Sequence, residues 1–127
     1  VVGKGIIKGY RLLFKGSKTG SYLTIEEAKG HEVPVAVWKV DEPCEKALDR
    51  YEGYPSFYYK KEIEIDYISI KKKELRRCKA FVYIMHEERE LGIPSRGYVE
   101  VCLEGYRTFG FNPILIEEAI IKSMEEK

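Results

Sequence analysis

At 127 residues, 44% hydrophobic and 34% charged, the chain is long enough to bury a core without disulfides, and it reads as one domain spanning 1–127. Its net charge of +1 gives no global electrostatic argument for nucleic acid or an anionic membrane as a partner. No apolar run reaches spanning length and no signal peptide is visible. The three cysteines, Cys44, Cys78 and Cys102, lack C-x-x-C spacing and read as reduced thiols in a cytoplasmic protein.

Taken in order, Val1 to Phe14 reads as a strand in which Gly3, Gly5 and Gly9 suggest bulges or sharp curvature. Lys15 to Gly20 reads as a loop and Tyr22 to Ile25 as a second strand. Glu26 to Glu32 is a polar connection closed by Gly30. Val33 to Val40 gives a third strand, with Pro34 placing its start at an edge or bulge and Trp38 on a face expected to be covered. A helix follows from Asp41 to Tyr51, capped by Asp41, with Pro43 in its first turn and Gly53 as its left-handed stop. Ala47, Leu48 and Tyr51 fall at helical spacing and are expected to face the core.

Phe57 to Ile70 alternates apolar and polar residues as a strand does, and Lys79 to Met85 is the expected return. Between them Lys71-Lys72-Lys73 and Arg76-Arg77, interrupted by Glu74, read as a charged hairpin connection rather than a nucleic-acid site. Glu87 to Gly92 reads as loop. Ser95 is the expected N-cap of a second helix whose inner face carries Tyr98, Cys102, Gly105 and Phe109, with Gly105 implying a close backbone approach and Gly110 ending the helix. Asn112-Pro113 open a last helix with Leu115, Ile116, Ala119, Ile120 and Met124 as its apolar stripe. Strands first, one inserted helix and two trailing helices predict an α+β fold, and the strand glycines favour closure toward a small, mostly antiparallel mixed β-barrel flanked by helices.

Few motifs carry chemistry. His31 and His86 stand far apart and give no zinc pattern, and no dinucleotide or phosphate-binding glycine motif occurs. Glu52 is the exception. It lies at the negative end of the first helix, four residues after Leu48, so its carboxylate leans toward the expected buried face. Desolvation and the helix dipole both oppose the ionised form, which predicts a raised pKa. Cys102 faces the core by spacing, has no histidine nearby in sequence, and reads as packing rather than as a nucleophile.

Gly9-Tyr10-Arg11-Leu12-Leu13-Phe14, Gly20-Ser21-Tyr22-Leu23-Thr24-Ile25, the Val-Ala-Val-Trp strand, Leu48-Asp49-Arg50-Tyr51-Glu52-Gly53 through Tyr58-Tyr59, and Pro94-Ser95-Arg96-Gly97-Tyr98 with Gly105 occur in this order. Together they resemble the gamma-glutamylcyclotransferase-like family, including its gamma-glutamylamine cyclotransferase and AIG2-like branches, over nearly the whole chain up to about Asn112. The D-x-x-E-G…Y-Y segment is the most specific part. The resemblance implies that Glu52 is the catalytic acid/base and that Gly53, Tyr59 and Tyr98 bind substrate, although a tyrosine with an apolar ring and a bonded hydroxyl suits core packing as well.

It also implies cyclisation of a γ-glutamyl amide to 5-oxoproline with release of the amine, a small-molecule substrate, and no metal or other cofactor. The family's opening strand and Y-G-S-N-L or Y-G-T-L loop have no counterpart here. The resemblance therefore implies a domain that is N-terminally incomplete, with Val1 falling just after that segment. A non-catalytic small-molecule binding or interaction domain on the same fold is the alternative reading.

Overall fold

The computed structural model describes residues 2–17 and 20–126. Its strands are β1 (Gly3–Ser17), β2 (Gly20–Val37), β3 (Tyr58–Ser69), β4 (Leu75–Met85) and β5 (Glu90–Leu91); its helices are α1 (Glu42–Glu52), α2 (Arg96–Phe109) and α3 (Ile114–Glu125). The expected strand start at Val1 and the Lys18-Thr19 part of the expected loop lie outside the described residues. Hydrogen-bonded neighbours follow the order β2-β1-β3-β4, with β5 also pairing β1. The β1–β3, β1–β5 and β3–β4 ladders are antiparallel, as the α+β reading expects. Among the described residues this path is open, with β2 and β4 at its ends, so the expected closure into a barrel is not among the pairings.

The chain divides into two compact units, one of Val1–Lys8 with Glu32–His86 and one of Gly9–His31 with Glu87–Lys127. Two of the three chain passages between them fall at Gly9 and just after Gly30, whose φ angles of 81° and 85° are left-handed values that a side chain would strain. Gly30 explains a difference from the sequence reading. Tyr22–Ile25, the polar stretch after it and Val33 onward form one strand, because Gly30 acts inside β2 rather than closing a turn. The polar residues Glu27, Lys29 and Glu32 are simply its exposed positions.

In the first unit the long ladder between β3 and β4 runs from Tyr58 opposite Met85 to Ile68 opposite Leu75. β4 begins at Leu75 rather than Lys79. Arg77, expected in the connection, instead lies opposite Asp66 and also bonds Glu64 at 2.8 Å, so cross-strand charge pairs extend the ladder. β3 also meets β1, where a side chain on Gly3 or Gly5 would collide with the backbone of Ile68 or Asp66. β2 ends at Val37, one residue before Trp38, which is 61% exposed, contrary to the expected covered face.

A second difference concerns α1. Asp41 caps it through the Cys44 N–H at 2.9 Å and Gly53 ends it at φ 69°, both as expected. Yet the helix has no buried residue: of the three expected to face the core, Ala47 is exposed, Tyr51 is 86% exposed and only Leu48 is partly covered. Its attachment is polar, as described below.

The second unit has its core in Phe14, Ile116 and Ala119, with Tyr98, Val99, Cys102, Leu103 and Tyr106 of α2 packed against it. Burial pushes the Tyr106 hydroxyl up to about 12 and raises the Cys102 thiol. A side chain at Gly105 would meet nothing within 4 Å, so the close approach expected there is absent. Phe109 stacks on Phe111. On α3 the expected stripe holds at Ile116 and Ala119, but Met124 is 53% exposed and Ser123 is fully buried in its place. The reason is a hydrogen bond. Ser123 Oγ accepts the Phe14 N–H at 2.9 Å and donates to the Ala119 carbonyl at 2.8 Å, satisfying a strand donor that no apolar side chain could.

That exchange is measurable by urea unfolding. Ser123→Ala leaves the buried Phe14 N–H without its acceptor and is expected to cost about 1–3 kcal/mol, whereas Met124→Ala is expected to stay within about 0.5 kcal/mol of the unmodified protein. Equal costs would contradict the assignment of Ser123 as the core position.

Candidate functional site

Glu52 is the last residue of α1, and Gly53 turns the chain at once. Because Gly53 is left-handed, its N–H reaches the Arg50 carbonyl at 3.3 Å and the following Tyr54 N–H reaches the Asp49 carbonyl at 2.9 Å. The turn continues with the Phe57 N–H donating to the Gly53 carbonyl at 2.7 Å, and the chain enters β3. A side chain on Gly53 would meet the Phe57 Cβ at 3.2 Å besides straining the backbone, so glycine is required twice over.

The Glu52 side chain sits half-buried at this turn, and burial pushes its carboxyl pKa above the ordinary glutamate range. Tyr59 lies early in β3 with its ring centroid 5.2 Å from that of His86. The His86 Nε2 lies 2.6 Å from the Pro55 carbonyl, a ring N–H donating to an oxygen of the same turn. Glu52, Gly53 and Tyr59 thus belong to one unit, between the last residue of α1 and the second of β3.

Tyr98 belongs to the other unit. There its hydroxyl accepts the Leu23 N–H at 3.1 Å, and its ring meets Tyr22 and Phe14 edge-on at 5.3 and 6.2 Å. These contacts are the packing role that the sequence reading held open for it.

Sequence reasoning missed the polar cluster that fastens α1. Lys60 of β3 places its Nζ 2.6 Å from Glu45 Oε2 and 3.1 Å from Asp49 Oδ1, two carboxylates one helical turn apart. Directly across the ladder from Lys60 stands Tyr83, whose hydroxyl donates to Asp49 Oδ1 at 2.6 Å. The same Nζ lies 4.7 Å from the centre of the Tyr54 ring and 5.3 Å from that of Phe81.

The electrostatics follow from these contacts. The Tyr83 hydroxyl, then Lys60, hold the Asp49 carboxyl below its usual range. The hydrogen bonds that Lys60 donates to Glu45 and Asp49 raise its pKa, and burial followed by Asp49 raises that of Tyr83. The signal was present in the sequence. Glu45 and Asp49 are like charges at i,i+4, an arrangement that asks for a cation between them, and Lys60 is among the first cations after the helix.

Among the described residues no group of three or more His, Cys, Asp and Glu side chains could hold a metal ion, and no helix is long and apolar enough to cross a membrane. What the arrangement offers is a half-buried carboxyl group of raised pKa on a hydrogen-bonded glycine turn.

Among curated proteins, no sequence matches this chain. Solved structures do. The crystal structure of the human uncharacterized protein loc79017 superposes with a TM-score of 0.68 at 24% identity, covering 92% of this chain and 70% of that one. A structure described as a gamma-glutamyl cyclotransferase gives a TM-score of 0.69 at 23% identity over the same shares. YkqA from Bacillus subtilis gives 0.67 at 18% identity, with 91% of this chain covering 41% of that one. At these identities the likeness is one of fold. The sequence profile of the family described as "Gamma-glutamyl cyclotransferase, AIG2-like" matches residues 1–100. With the D-x-x-E-G turn, the β3–β4 ladder and that match in agreement, the chain belongs to the AIG2-like gamma-glutamyl cyclotransferase family.

Proposed function

We propose that this protein cyclises a γ-glutamyl amide to 5-oxoproline and a free amine, with Glu52 as the acid/base. Family membership supports the reaction class, and the observation that carries the assignment to Glu52 is its half-buried carboxyl with a raised pKa beside a fixed turn. The substrate is a small γ-glutamyl peptide or amine. Its α-amine attacks its own γ-carbonyl carbon, a C–N bond forms to close a five-membered ring, and the original amide C–N bond breaks. The amine loses a proton to Glu52 as it attacks, and the departing nitrogen takes that proton back, so the carboxylate ends as it began. Ring closure needs the substrate folded into near-attack geometry more than it needs chemical activation, and holding it there can supply much of the rate.

A carboxylate is a poor base for an amine at its ordinary pKa, and the desolvation acting on Glu52 improves the match to its task. Gly53 brings backbone close to the reacting groups, and Tyr59 contributes a wall to the site. Tyr98 has a substrate-binding role by its match to the family alone. The three free cysteines, Cys44, Cys78 and Cys102, fit a cytoplasmic setting.

Cyclisation assays on γ-glutamyl peptides and amines are expected to show kcat/KM for Glu52→Gln lower by roughly 10²–10⁴-fold. Activity equal to that of the unmodified protein would remove Glu52 from the reaction. The stability of the same variant separates lost chemistry from lost folding. A folded-state pKa raised above the unfolded value favours the fold while the carboxyl is protonated, and that contribution disappears as pH rises through the raised pKa. Glutamine never ionises. Glu52→Gln is therefore expected to melt at the same temperature as the unmodified protein at pH 4 and at the same or a higher temperature at pH 7; a clearly lower melting temperature at pH 7 is the contrary result.

The pH dependence of kcat/KM gives a further check. With Glu52 needed as its carboxylate, activity falls toward acid with a limb centred above about 4.3, the ordinary glutamate value. A limb at or below that value would deny the buried character of the base.

A further inference from the structure

The turn that carries Glu52 is an arch with two feet, and one side chain holds both. Asp49 is the first foot. Its side chain is bound to Lys60 at 3.1 Å, and its own carbonyl takes the Tyr54 N–H at 2.9 Å, closing the arch over Glu52 and Gly53. Tyr54 is the second foot, and its ring lies under the same Lys60 Nζ at 4.7 Å. We propose that Lys60 is the positioning residue for Glu52, a latch on β3 that fixes both ends of the Asp49–Tyr54 arch and so sets where the carboxyl group is held. This inference rests on the reading of Glu52 as the acid/base.

Three observations favour a latch over an ordinary surface ion pair. The Lys60 side chain is only 18% exposed, and Asp49 is only 22% exposed, so most of each side chain is covered. α1 has no buried residue to hold it by apolar contact, so the polar cluster carries that task. Tyr83, opposite Lys60 in the ladder, bonds the same carboxylate and fixes the height of Asp49 above the sheet. With Lys60 gone, the Glu45 and Asp49 carboxylates lose their shared cation, the Tyr54 ring loses its partner, and the arch is free to lift.

The test compares Lys60→Met and Lys60→Arg with the unmodified chain, by amide hydrogen exchange read by NMR and by cyclisation kinetics on a γ-glutamyl amide. In Lys60→Met the Gly53 and Tyr54 amides are expected to exchange about tenfold faster or more, while amides of the β3–β4 ladder keep their rates. kcat is expected to fall about 100-fold, as for a misplaced catalytic group, with KM changed by less than about twofold. Lys60→Arg restores both readouts, since a guanidinium can bridge two carboxylates and stack on a tyrosine ring.

Unchanged exchange at Gly53 and Tyr54 in Lys60→Met, or a uniform acceleration across the unit, overturns the latch. If the unmodified chain does not cyclise the amide, the exchange readout still decides the latch, and the failure belongs to the reading of Glu52. Should Lys60→Met not fold, Tyr54→Leu removes one foot and keeps the ion pairs. Selective acceleration at Gly53 is then expected, and its absence overturns the proposal.

Discussion

The Lys60 ammonium between Glu45 and Asp49 is the contact on which the candidate site depends. A helix normally docks through an apolar stripe, and burial of that stripe supplies most of its stability. α1 lacks one, so its place over the β3–β4 ladder is set by charge, by the Tyr83 hydroxyl and by the aromatic rings around Lys60. Polar attachment is directional where apolar attachment is tolerant. A shift of Asp49 weakens its contacts to Lys60 and Tyr83 together, which is a useful property in an element whose last residue is the proposed acid/base.

The second unit meets its demands differently. Phe14, Ile116 and Ala119 form an apolar centre, and two polar groups beside it, the Phe14 N–H and the Lys15 ammonium, find partners. Ser123 serves the Phe14 N–H, while Lys15, almost wholly buried, pairs with Glu26 and donates to the Glu87 carbonyl at 2.9 Å. Burial lowers the Lys15 pKa, and the negative charges of Glu87 and Glu88 offset part of that cost. Tyr98 belongs to this packing through its ring and its bonded hydroxyl.

Local signals were legible in the sequence and long-range ones were not. Asp41, Gly53, Ser95 and Gly110 all act as the caps their residue types announce, because a cap is a contact within a few residues. The raised pKa of Glu52 also followed from position, although the apolar face invoked for it at Ala47 and Tyr51 is exposed. Glu52 is half-buried all the same, at a turn closed by the Phe57 N–H on the Gly53 carbonyl, which helical periodicity does not see. Ser123 took a position assigned to Met124 because a strand N–H far away in sequence needed an acceptor. Gly105 suggested a close approach that is absent, and Gly30 suggested a turn but sits inside a strand. A glycine marks where a conformation is permitted, and only the fold decides whether it is used.

Glu52 thus joins two levels of the molecule, a local glycine turn that places the carboxyl group and a long-range clamp that holds the turn. The most direct measurement is a site-specific titration of the Glu52 side-chain carboxyl by carbon-13 NMR in the resting protein, assigned by its loss in Glu52→Gln. A midpoint above about 4.3 is the result expected of a partly desolvated acid/base. A midpoint at or below that value would show a carboxylate in water, and the account of this site would be wrong.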